Sequence, residues 1–170
     1  NIIMKYLLTL IFCLFLTFGA YAQESNTETP EAPQEFKSLK DRPETVLKLQ
    51  NLKNCTITYY NIGVYANLGG SIVELTKGDE VTREKFKMIF LRADSQHKLL
   101  QKQLDTLVDY LIKGGYHPLE IAMILEQATN IMLETLTTMI QDVMADPTKT
   151  NGMLTLLLEG TNKCDNDFLN

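Results

Sequence analysis

The sequence predicts an all-α protein, an up-down helical bundle of about four helices with a long central helical hairpin (82–113 and 118–145). Three observations predict it. Apolar side chains recur at alternating intervals of four and three through 82–113, the spacing of a helical seam. The stretch 118–145 is apolar on all but one narrow stripe, as a deeply buried helix is. The breaks at Gly114-Gly115 and Asp146-Pro147 are short, and short connections make helices antiparallel neighbours.

Composition agrees with one domain. The chain has 170 residues, 45% of them apolar, with no Trp, 9 Gly, 5 Pro and 3 Cys. That excludes collagen-like, low-complexity and disulfide-dense classes. A net charge of -5 argues against a nucleic-acid binder, which needs clustered Lys and Arg to neutralise phosphates.

The N-terminus reads as an address. Residues 1–3 precede the expected start, Met4. Lys5, an uncharged run from Tyr6 to Phe18 and the Ala20-Tyr21-Ala22 end are the parts of a secretory signal peptide, expected over 1–22. The run is shorter than the roughly 20 residues that span a bilayer, so no stable membrane anchor is expected after cleavage. Cys13 follows the bulky Phe12 rather than the small residue that lipidation requires, and it leaves with the signal. Residues 23–43 hold Pro30, Pro33, Pro43 and five acids with few apolar side chains. They read as a flexible acidic linker, with the bundle domain over 44–170.

The elements follow in order. Residues 43–52 read as a short extra helix. Residues 54–76 pull two ways: Thr56 to Tyr60 is β-branched and aromatic, whereas Ile57, Tyr60, Val64, Leu68, Ile72 and Leu75 keep helical spacing. Helix is the choice, with Asn54 as its cap, because a lone hairpin is poorly stable. The seam Phe86, Phe90, Ala93, His97, Leu100, Leu104, Leu107, Leu111 defines the next helix. Thr82 is its expected cap, and Val81 and Phe86 its hydrophobic staple. Pro118 opens the third helix at the favoured first position, with Tyr116 and Ile121 at staple spacing. This helix is expected to be the most buried. A shorter helix follows to about Lys163. Excess basic charge in 82–113 and the purely acidic 118–145 are expected to face each other.

Cys55 and Cys164 remain after signal removal. Exported chains meet an oxidising compartment, so a Cys55–Cys164 disulfide is expected, joining the start of the first bundle helix to the end of the last. Asn54-Cys55-Thr56 spells a glycosylation sequon, which a bridged Cys55 in a bacterial protein makes meaningless.

Catalytic signatures are missing. No phosphate loop, nucleophile elbow, His-Glu-x-x-His or dinucleotide fingerprint appears, and only His97 and His117 are present to move protons near neutral pH. The expectation is a protein without catalytic residues or cofactor. Asp94 and His97, with Glu134 opposite them in the hairpin register, are weak metal candidates; His97 with Met132 is the haem counterpart. The plainer reading of His97 is a seam residue that fixes register.

The two long helices, about 48 and 42 Å at 1.5 Å per residue, outreach their neighbours. Leu104, Leu107, Leu111, Tyr116 and Ile121 at the hairpin tip therefore need a cover, either 44–52 or a partner chain. The functional expectation is an exported, non-enzymatic protein acting by protein–protein interaction in the periplasm or outside the cell, with a homodimer through the tip as one form. The alternative is a carrier of a small ligand, metal or haem in the bundle core.

Overall fold

A computed structural model describes residues 35–170. The expected signal peptide and residues 23–34 of the expected linker lie outside the described residues. The fold is an all-α bundle of four helices, α1 Pro43–Leu75, α2 Glu80–Lys113, α3 Pro118–Ala145 and α4 Thr150–Cys164. A 3-10 turn (Pro147–Lys149) precedes α4 and a π turn (Asp165–Leu169) follows it. Among the described residues no helix is long and apolar enough to cross a membrane.

The first helix differs most from expectation. Residues 43–52 and 54–76 form one continuous helix that starts with Pro43 at its first position. Asn54 is therefore no cap. The β-branched run Thr56–Tyr60 is helical because burial outweighs its weak strand preference. Between Lys53 and Glu74 the sequence has no charged residue, so α1 has almost no polar side, and all three other helices pack on it. Leu49, Leu52, Cys55, Tyr59 and Ala66 are among its buried residues. The most buried element is thus α1, not 118–145, of which only Ile121, Ala128 and Leu136 are fully enclosed.

The tightest helix pair is α1 with α2 rather than α2 with α3. Small residues allow it. A methyl group at Gly63 would meet the Ala93 methyl at 3.7 Å, and one at Gly69 would fall 2.5 Å from the Phe86 ring. The two backbones approach closely because Gly has no Cβ. At the start of α2 the cap is Asp79, not Thr82; its carboxylate accepts the Thr82 N–H. Val81 is exposed, so the expected staple with Phe86 does not close. The staple at α3 does form: Tyr116 and Ile121 belong to the same core cluster.

Cys55 and Cys164 are joined, with their Cα atoms 5.7 Å apart. The pairing is the expected one, but Cys55 lies in the body of α1 rather than at its start. Beyond the disulfide, Tyr59 donates to Asp165, which also accepts Arg92 Nη2 at 3.0 Å. Gln103 donates to the Phe168 carbonyl at 2.8 Å. The C-terminal turn is therefore tied to both α1 and α2.

The expected charge match between α2 and α3 is not made. Ion pairs among the described residues lie within α2 (Glu80–Arg83, Glu84–Lys87, Asp94–Lys98, Asp109–Lys113) or join Arg92 to Asp165. The reason is geometric, since both helices pack mainly on α1.

Candidate functional site

The two ends of the bundle differ in how they are finished. At the tip, where α2 turns into α3, Leu104, Leu111 and Ile121 are 2%, 1% and 2% exposed. Leu107 and Tyr116 are partly buried against the same cluster. These five residues were the expected partner surface. The chain covers them itself, with Val46, Leu49 and Leu52 of α1 and with Leu39, which is 0% exposed.

Leu39 belongs to the stretch expected to be linker. The structure corrects that boundary, because residues 36–42 form a strap across the tip. One apolar anchor is too little to mark a packed segment by composition. The strap is fixed by backbone and side chain. Lys37 N–H donates to the Gly115 carbonyl at 2.8 Å, and His117 N–H donates to the Lys37 carbonyl at 3.1 Å. Glu120 accepts Ser38 Oγ and the Leu39 N–H, both at 3.0 Å. Arg42 donates to the Tyr116 hydroxyl at 2.8 Å. Phe36 stacks at a tilt on His117, 4.6 Å between ring centres. Gly115 takes the left-handed φ of 85° that lets the chain turn there.

The opposite end is open. No residue from 67 to 92 is buried, although this stretch carries the turn between α1 and α2 and many apolar side chains. Leu75 is 83% exposed, Val81 64% and Met88 65%, with Ile72, Ile89 and Leu91 also on the surface. Between the helices an open groove of about 310 Å³ runs past Ala66, Gly70, Phe86 and Phe90, with Glu74 and Arg83 on its rim. Clustered exposed apolar side chains mark interaction surfaces. The sequence held the signal: Val81, Met88, Ile89 and Leu91 are apolar residues off the α2 seam. It was masked by the basic residues interleaved with them, Arg83, Lys87 and Arg92.

The metal candidates Asp94, His97 and Glu134 are not brought together. His97 faces α1, with Nδ1 2.8 Å from the Thr56 carbonyl and its ring 5.7 Å from that of Tyr60. Asp94 pairs with Lys98 at 2.7 Å. Glu134 is exposed on α3. No group of three or more His, Cys, Asp or Glu side chains suited to a metal forms among the described residues. His97 sits as a seam residue between two helices. Oδ1 of Asn54, the sequon residue, is buried and without a partner, in mid-helix beside the disulfide, which is no place for a glycan. No family model matches the chain, and no curated protein and no solved structure matches it either.

Proposed function

We propose that this chain is an exported, non-enzymatic helical protein that works by binding another protein in the periplasm or extracellular space. The reading rests on one observation: the bundle closes its tip with its own strap yet leaves the apolar side chains of residues 72–91 uncovered at the other end. The docking surface is the open end, with Val81, Met88 and Ile89 at its centre. Export is supported by the sequence of residues 4–22 and by the juxtaposed Cys55 and Cys164, a pairing that persists in oxidising compartments.

The test is a double substitution, Met88→Asp with Ile89→Asp, in the mature protein. Both side chains are exposed, so helicity by circular dichroism is retained. Co-purification of the native partner is lost. A partner that binds the variant as it binds the wild type overturns the reading. Light scattering on the purified protein distinguishes a second copy from a different protein as that partner.

A further inference from the structure

We infer that His117 is an acid-sensitive latch for the strap. The residue stands where the strap meets the start of α3. Its backbone N–H donates to the Lys37 carbonyl. Its ring packs on Phe36. Its Nδ1 caps α3, accepting the Leu119 N–H at 3.1 Å. Three residues on, Glu120 occupies the position from which a carboxylate ordinarily reaches back to the N-cap N–H. Here that N–H is engaged by Lys37, and Glu120 instead holds Ser38 and Leu39.

The cap therefore positions the first turn of α3, and that turn positions the carboxylate that fixes the strap. Only an imidazole with a free lone pair on Nδ1 can accept the Leu119 N–H. A proton there removes the acceptor and sets a cation at the positive end of the helix dipole. No neighbouring group replaces the lost acceptor. On the strap, the Lys37 ammonium donates to the Gly114 carbonyl at 2.9 Å, and the Arg42 guanidinium lies 5.9 Å from the Tyr116 ring centre. From α3, Glu120 already accepts two strap hydrogen bonds. From the end of α2, Lys113 pairs with Asp109 at 2.6 Å. Histidine is the side chain whose charge ordinarily changes between pH 5 and 8. A proton on Nδ1 frays the start of α3, releases Glu120 from the strap and lets Leu39 leave the cluster of Leu104, Leu111 and Ile121.

The experiment is amide exchange at pH 7.5 and 5.5, corrected for intrinsic rates, on the wild type, His117→Asn and His117→Ala. Asparagine caps as well as any residue and does not titrate. In the wild type the Lys37 and Leu39 amides lose about fivefold protection at pH 5.5, the factor expected for a lost cap. His117→Asn keeps its protection at both pH values. His117→Ala shows the lowered protection at both. The Asn variant retains every carboxylate, so a wild type and His117→Asn that respond equally to acid overturn the latch. Equal protection of wild type and His117→Ala at pH 7.5 overturns it as well.

Discussion

Leu111 is enclosed by the strap, α1 and α3, so its replacement is an experiment on stability rather than on binding. Leu111→Ala removes buried methyl groups and leaves a cavity, which costs about 2–5 kcal/mol. Urea unfolding measures it, and a loss under 1 kcal/mol would mean that the strap does not seal the tip. Two glycines make an internal comparison. Gly63→Ala places a methyl in ordinary contact with Ala93 and Phe90 and removes the helical penalty of glycine, so it stabilises by roughly 0.5–1 kcal/mol. Gly69→Ala drives a methyl into the Phe86 ring, an overpacking that costs about 1–3 kcal/mol and outweighs the same gain. Melting temperatures should rise for the first and fall for the second; the reverse order would refute the described contact between α1 and α2.

Among the elements, the C-terminal turn carries a pH signature of its own. Burial, reinforced by the hydrogen bond to Asp165, pushes the Tyr59 phenol well above its usual range. A raised pKa means that the folded state holds the proton more tightly than the unfolded chain does. The stabilisation is complete below the ordinary tyrosine value of about 10, and it is lost as pH rises through the folded value. Burial raises the Tyr65 phenol as well, so Tyr59→Phe should reduce, not remove, the fall in stability above about pH 10; a slope unchanged by that substitution would show that Tyr59 is not a source of it. Asp79 has the opposite sign. Hydrogen bonds from Thr82, hydroxyl first and then N–H, hold its carboxyl below the usual range, so its cap is strong near neutrality and fails only in acid, as pH falls through that lowered value.

The elements also show where sequence reading succeeds. The bounds of α2 and α3 were legible because Gly114, His117 and Pro118 are local signals whose meaning does not depend on the rest of the fold. α1 was broken in two because Asn54 reads as a cap and Thr56–Tyr60 as strand-like, and only the three helices packed around them make the helix continuous. The strap was invisible for a related reason. Leu39 is one leucine among polar residues, and its importance comes from Glu120 and Gly115, more than 70 positions away.

For the whole molecule, the disulfide is the main covalent constraint. It joins residues 109 apart in sequence, and a loop of that size restricts the unfolded chain by about 4–5 kcal/mol in the chain-entropy account. Replacing both cysteines by serine should lower the unfolding free energy by an amount of that order, read as a shifted urea midpoint; a midpoint within error of the wild type would mean that the bridge does not form in solution. This pairing was the long-range contact most legible in the sequence, since Cys55 and Cys164 are the only cysteines outside the expected signal peptide. The covering of the tip residues Leu104, Leu111 and Ile121 by the chain itself was not legible. Periodicity shows which side of a helix is apolar, but not which of two bundle ends the rest of the chain will fold over.

The same bridge sets a mechanical limit. Tension applied between the two termini can draw out only the chain that lies outside the loop. The strap and the first three turns of α1 would yield on one side, and the five-residue terminal turn on the other. The roughly 370 Å of contour held between Cys55 and Cys164, at about 3.4 Å per residue, stays out of reach of the load until the sulfur–sulfur bond is cut. The body of the bundle would keep its shape while the strap and the terminal turn are drawn out.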